Sequence, residues 1–535
     1  MNQTVFPRVV LALRLLLLLS LLGGLLFYVA VSIHWPIVWD AAVMHYVTFL
    51  IHHGLAPYRD ITDSNMPGAY LTESLAMHLF GAGDLAWRIY DLFLCLALTL
   101  AGISIARPYD WLAGVFGGIL FTLFHGSDGP RFTGERDLVM TVLLVCSVAS
   151  LLSAIRTRRA LGMLPFGLAG ALAASIKPTC APLLLILLAA AIILMRRQRT
   201  PATPFVGWAA VGWIAVSALV LGFLLVHSSI HDFLFVTRDL LPSYVSLRQL
   251  GAAELIRSIL PHSLALLAAL ALLLALLNRG WNAERWLLLL CLIFGAVSYF
   301  AQRKGFPYHR YPLVAFLFLF MGFELLSGLR RSGISRAIAA VAILIFVFLG
   351  EPHLLQAMRH QNSTFPINLS EGLASDLSRL GPDRLQRNIE CYDLTYGCFS
   401  ALYRLRIFQT NGVTGDLLFF SPTETYAVDY YRNLFWTLNR TRPSDVLVIT
   451  NQWFQENNSF RKLDAWSAFR QYLDRNYTLV LTRSFPVNDL PPVAGDPPQP
   501  AYRIYIRDGT PLLAVAGSQF GAATSTPFEL KLARP

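Results

Sequence analysis

The chain has 535 residues, of which 55% are hydrophobic and 14% charged, and a formal net charge of +11. Soluble domains carry roughly 25% charged residues, so the composition excludes an ordinary cytosolic protein. The positive balance is what short basic loops on the cytoplasmic side of a membrane produce, so it is no argument for nucleic acid, which is not expected as a partner.

A bilayer core needs about 20 mostly apolar residues per helix, and such runs recur from Val9 to Gly350 and then stop. The chain is therefore expected to divide into a transmembrane domain, 1–350, and a soluble extracytoplasmic domain, 351–535. The run 9–33 follows Arg8 as a signal peptide would, but no small-residue cleavage pattern precedes Trp35, so it reads as a retained helix. Further spans are expected at 88–106, 111–124, 137–155, 161–176, 179–195, 205–227, 259–277, 285–302, 312–327 and 336–350, giving eleven in all. With the N-terminus in the cytoplasm, Arg156, Arg158 and Arg159, then Arg196, Arg197 and Arg199, then Arg330, Arg331 and Arg336 fall inside. That is the pattern the positive-inside rule requires.

The same orientation leaves the first loop (34–87), segments 125–136, 228–258 and 302–311, and the tail outside. In the first loop, 41–53 and 68–80 carry mixed apolar and polar faces and read as interfacial helices, with the turn-rich GLAPYRDITDSNMPG between them. The tail reads as a small α/β domain with strands at 445–450, 477–482 and 502–507 and a helix over 461–475. No internal repeat of the kind seen in many transporters is evident. Cys95, Cys146, Cys180 and Cys291 lie in apolar runs and read as small hydrophobes. Only Cys391 and Cys398 stand where a disulfide is permitted, if geometry allows it.

Outer loops should be poor in cations, yet Arg131, Arg136, Lys177, Arg303, Lys304 and Arg310 sit there beside apolar runs. Charge against the trend needs a reason, and an anionic ligand supplies one. The bland alternatives are snorkelling of Lys177 and Arg136 to the interface and anchoring of the 303–310 cluster to lipid headgroups. His309, between Tyr308 and Tyr311, has the composition of an interface anchor. Asp40, in HWPIVWDAAVMHY, is either the cap of the helix that follows or a general base. Asp60 and Asp63 lie in a turn, where aspartate is common for backbone reasons. A metal could be drawn from Asp40, Asp63, His45, His52 and His53, but those histidines fall on different helix faces, so neither metal nor other cofactor is expected.

The order of these segments resembles the GT-C superfamily of membrane glycosyltransferases, in particular the branch holding protein O-mannosyltransferases and lipid A aminoarabinose transferases. Trp39, Asp40, Pro57, Tyr58, Arg59, Asp60, Asp63, Pro67 and Tyr70 match that branch's layout of an acidic residue after the first helix and a PY-containing loop before the next. GERDLVMTVLLV, with Glu135, Arg136 and Asp137, SIKPT, with Lys177, and QRKGFPYHRYPL resemble later outer-end segments. Ala41 departs from the pattern where relatives have glutamate, as do Asn65 and Met66 where they have lysine and proline. The likeness spans roughly residues 9–330 and implies a polytopic α-helical GT-C fold with a C-terminal domain that helps recognise the acceptor.

It also implies an inverting transfer of a sugar from a polyprenyl-phosphate donor to an acceptor on the extracytoplasmic face, in a bacterial cytoplasmic (inner) membrane. The acceptor's nature (glycan, lipid or protein) is open. The expected catalytic residue is Asp40, with Asp60 and Asp63 as further candidates. Tyr58, Arg59, Glu135, Arg136, Lys177, Arg303, Lys304, His309 and Arg310 are expected to bind the lipid phosphate or sugar. A flippase for a lipid-linked sugar, or a ligase or polymerase using a lipid-diphosphate donor, are the competing readings.

Overall fold

The computed structural model describes residues 5–246, 249–278, 280–364, 368–453, 458–485 and 499–521. The chain divides into two compact units. The first comprises 1–35, 66–223 and 249–362; the second comprises 36–65, 224–248 and 363–535. The chain is an integral membrane protein with long apolar helices.

The first unit is a helical bundle. Eight of its described helices are long and apolar enough to cross a membrane, or nine if the bent pair Ala252–Ile259 and His262–Leu277 counts as one span. Two more of the eleven expected runs form helices that miss this test. Met163–Ile176 is too short, and Trp111–Asp128 is diluted by glycines and a polar end. The centre of the bundle is Tyr311–Arg330, packed against Trp111–Asp128, Ala283–Gln302 and His262–Leu277. Its sequence is apolar all round, which suits a helix with no lipid face, and 89% of its span is buried against 17% for the first helix.

Polar side chains punctuate the helix ends. Asp110 caps Trp111–Asp128 by accepting from the Leu112 amide, and also pairs with Arg14 at 2.6 Å and Arg330 at 3.0 Å. Arg156 pairs with Glu284 at 2.7 Å. Asn282 caps Ala283–Gln302, and Glu135 caps Arg136–Thr157. Such caps satisfy amide donors that would otherwise be orphaned at a helix start.

The second unit joins the start of the first outer loop to the tail. Its strands are β1 (Ile61–Thr62), β2 (Ile389–Tyr392), β3 (Gly412–Val413), β4 (Val446–Thr450), β5 (Tyr477–Ser484) and β6 (Ala501–Arg507). The main sheet runs β2-β4-β6-β5, with β2 and β4 parallel and the other neighbours antiparallel. β1 and β3 form a separate parallel pair. The three expected strands are β4, β5 and β6, while β2 holds a charged residue, Glu390, in its middle and gives no alternating signal. Helix Trp39–His52 has every residue from Ala41 to Ile51 except Val43 buried, and packs on helix Cys398–Leu405. Tyr46 ties the two segments together by donating to the Ile407 carbonyl and accepting from the Gln409 amide. Cys391 and Cys398 are disulfide-bonded, with Cα atoms 6.1 Å apart, and the other four cysteines are free.

Candidate functional site

In the second unit, the carboxylates of the first outer loop have distinct surroundings. Asp60 is consumed locally. It receives Nε and a terminal nitrogen of Arg59 at 3.0 Å each, and the Ala56 amide at 2.8 Å. The hydrogen bond from Arg59 holds its carboxyl below the usual range, so it is a turn-forming anion and a poor proton acceptor. Asp63 accepts from the Ser64 amide at 2.7 Å, the Asn65 amide at 3.3 Å, and the Asn65 side chain through both oxygens at 2.9 Å. Tyr58 is buried, with its hydroxyl donating to the Asn65 carbonyl at 2.7 Å and its ring 5.2 Å from Phe233.

Asp40 differs from both. Val38 is the N-cap of its helix, so Asp40 sits one residue into the first turn and does not cap it. The residue before it, Trp39, has φ +61°, a left-handed conformation that a bulky side chain adopts only when its surroundings impose it. The disulfide loop packs beside it. Asp393 accepts from the amides of Tyr396, Gly397 and Cys398, which fixes the loop and sets the Tyr396 ring 6.4 Å from Trp39. Trp39, Ser370, Thr395, Tyr396 and Ser400 line a small cleft there.

The loop bearing Asp60 and Asp63 is anchored to the tail by β1 and β3. Ile61 pairs with Gly412 and Thr62 with Val413, and the Thr414 hydroxyl donates to the Thr62 carbonyl at 2.8 Å. Gly412 is obligatory, because a Cβ there would lie 1.8 Å from the Asp60 carbonyl oxygen. Beneath it, the buried Glu390 accepts from the Asn411 amide, and burial pushes its carboxyl well above the usual range.

In the first unit, cations remote in sequence converge. Helix Arg136–Thr157 packs against the turn Pro307–Arg310 that bears His309, Lys177 reaches Asp137 beside Arg136, and Lys304 lies three residues before that turn. Lys177 ends helix Met163–Ile176 and pairs with Asp137 at 2.5 Å. Lys304 is buried in the loop after Ala283–Gln302, and burial lowers its ammonium to about 8. That loop turns at Arg303, which adopts φ +53° and whose carbonyl accepts from the Leu250 amide at 2.8 Å, with the Arg303 side chain exposed. Arg136 begins its helix after Gly134, at φ +61°, whose amide donates to Asp91 at 2.5 Å. Glu135 is buried as the cap of that helix.

Arg310 is engaged within the protein. It donates to Asp128 at 2.5 Å, to the carbonyls of Ser258 and Ile259, and lies 4.5 Å over the Phe124 ring. A buried chain continues from Asp128 to Tyr311 at 3.3 Å, to His125 at 2.8 Å, to Asp91 at 3.0 Å, and on to Arg88 at 2.7 Å. Sequence reading missed Asp128, whose only signal was a carboxylate closing an apolar run in HGSDG.

Asp91, Cys95 and His125 are the one group of three potential metal-ligating side chains among the described residues. The geometry does not suit an ion. Both Asp91 oxygens already accept, from His125, Gly134, Tyr28 and Arg88, and Arg88 brings a positive charge into the same space. His45 and His53 spend Nδ1 on the Ala41 and Phe49 carbonyls of their own helix.

No protein-family model matches the sequence, and no curated protein matches it. Solved structures do. ArnT from Cupriavidus metallidurans bound to undecaprenyl phosphate superposes with a TM-score of 0.57 at 12% identity, covering 92% of this chain and 98% of ArnT. The same protein in the apo state gives 0.46 at 13% identity, over 91% and 97%. An oligosaccharyltransferase from Archaeoglobus fulgidus gives 0.48 at 12%, over 81% and 69%. The chain thus has the fold of the GT-C membrane glycosyltransferases.

Proposed function

We propose that the protein is an inverting glycosyltransferase that takes a sugar from a polyprenyl-phosphate donor and transfers it to an acceptor on the extracytoplasmic face of a bacterial inner membrane. The observation that carries the reading is the gathering of Arg136, Lys177 and Lys304 at one end of a membrane bundle, where Lys177 pairs with Asp137 and helix Arg136–Thr157 packs on the turn that follows Lys304. Gathering cations where lipid surrounds the protein is costly, and an anion repays it. A departing lipid monophosphate is such an anion. The likeness to a fold whose member ArnT binds undecaprenyl phosphate supports the same choice of ligand.

In this reading Asp40 takes the proton from the acceptor hydroxyl as the oxygen attacks the anomeric carbon, and the bond from that carbon to the phosphate oxygen breaks on the opposite side. Lys177, Lys304 and Arg136 stabilise the charge that grows on the phosphate. Arginine offers a fork to two phosphate oxygens and lysine a compact charge, so the mixed set suits a tetrahedral monoester. Asp60 and Asp63 hold the loop. Arg310, fixed by Asp128, contributes positive potential from a set position. The domain bearing Tyr396 recognises the acceptor.

Mass-spectrometric identification of the lipid that copurifies tests the donor. A polyprenyl monophosphate bearing one sugar is expected. A polyprenyl diphosphate bearing an oligosaccharide would contradict the proposal and favour a ligase or polymerase.

A further inference from the structure

The far end of the membrane bundle carries a second feature that the transfer reaction does not use. Helices His262–Leu277, Ala283–Gln302 and Tyr311–Arg330 leave between them a groove of about 710 Å³. Its walls are apolar, formed by residues such as Ala269, Leu272, Leu292 and Phe320, and it is partly open to the outside. The groove lies near Asn278, where one helix ends and the next begins at Ala283. The cation cluster lies past the opposite end of Ala283–Gln302, and 20 residues of helix separate the two by about 30 Å.

The polar end of the groove is built. Asn278 is 2% exposed and lines the groove. Its side-chain oxygen accepts from Arg331 and from the Gly280 amide, and its amide donates to Glu324 at 3.3 Å. Arg285 approaches the same carboxylate at 3.5 Å. Two guanidinium groups against one carboxylate leave a net positive charge at the mouth. Arg331 donates to the amide oxygen of Asn278, a neutral acceptor that cancels none of that charge. Beside it Trp281 and Trp286 pack with ring centroids 4.8 Å apart, and Trp286 is 58% exposed. Tryptophan at the end of a span marks headgroup depth.

We infer that this groove is a binding site for an anionic phospholipid, with acyl chain in the apolar trough between the tryptophans and Phe320 and phosphate against Arg331. Charge complementarity selects the occupant: an apolar trough alone accepts any lipid tail, whereas the positive mouth favours a headgroup with net negative charge over a zwitterionic one. The site stands apart from the transfer chemistry and does not depend on it.

The test is native mass spectrometry of the full-length protein in mild detergent, offered phosphatidylglycerol and phosphatidylcholine with identical chains. Wild type should retain the anionic lipid about fivefold over the zwitterionic one, the weight of one basic side chain near a membrane surface. Arg331→Gln keeps a donor for Asn278 and should bring the ratio to near one. Ala269→Trp fills the trough and should lower retention of both lipids. Equal retention by wild type overturns the inference whatever the variants do, and so does a preference that Arg331→Gln leaves unchanged. Retention of undecaprenyl phosphate in place of phosphatidylglycerol, abolished by Ala269→Trp, would overturn the assignment to a phospholipid.

Discussion

Two charged loops treat their charges in opposite ways. In the loop 56–65, Asp60 and Asp63 are surrounded by short-range donors: backbone amides, Arg59 and Asn65. Their charge is spent on holding the chain. In the loop 303–310, Lys304 is buried, and it gathers with Lys177 and Arg136 at one end of the bundle, so like charges are brought together. A loop's residue types therefore say little about function until local hydrogen-bonding is counted. Charges answered by backbone amides and neighbouring side chains build the turn, whereas cations gathered from distant segments build a region of positive potential. Asp40 differs from both in its setting: it follows Trp39, held at φ +61°, and lies in the first turn of a helix whose N-cap is Val38.

That contrast ranks the expected effects of mutation. Asp40→Asn removes the proposed base and should lower kcat for sugar transfer by about 10²–10⁴-fold, while Asp60→Asn and Asp63→Asn should each cost less than tenfold. Initial rates of sugar transfer in membranes of matched protein content measure all three. If Asp60→Asn were the most damaging, the contrast between a turn-building carboxylate and the proposed base would be broken. Next in size, Lys177→Met or Lys304→Met should each cost about 10²-fold through lost stabilisation of the leaving phosphate. Arg330→Gln, which removes a cation at the opposite end of the same bundle, should leave the transfer rate unchanged.

Lys304 also predicts a pH dependence. Its ammonium is lowered by burial to about 8, so the charged form is present below that pH and lost above it. The kcat/KM for donor should therefore fall as pH rises through about 8. A bound phosphate favours the charged ammonium, so the corresponding limb in kcat should lie at higher pH. Lys304→Arg keeps its charge and should move the fall in kcat/KM upward; an unshifted profile would assign that limb to another group.

The smallest catalytic effect and a large structural one are expected together at Gly412→Ala. The added methyl would strike the Asp60 carbonyl and part β1 from β3. Limited proteolysis should then cut within 56–65 faster than in wild type, and the loss of transfer should track that loop's exposure.

Much of this architecture was legible in the sequence because the apolar runs and the cations that interrupt them are local signals. All eleven runs form helices, although three lack the length or apolarity to qualify as spans on their own. The outer cations were legible for the same reason. What could not be read was pairing across long separations. β1 and β3 are two residues each and lie some 350 residues apart, too short for a periodic signal. β2 is masked by Glu390, which reads in sequence as a surface residue but is buried in the strand. Arg310 read as a free phosphate fork, whereas Asp128, 182 positions away, holds it at 2.5 Å. Sequence reading finds charges out of place. Only coordinates show which have been answered from within the chain.

The most direct test of the account is the lipid product of turnover by the purified protein in sealed vesicles, given a polyprenyl-phosphate sugar and envelope acceptor. One free polyprenyl monophosphate should form for each sugar transferred. Donor that crosses the bilayer with its sugar still attached, and no free polyprenyl phosphate, would contradict the account and identify a flippase.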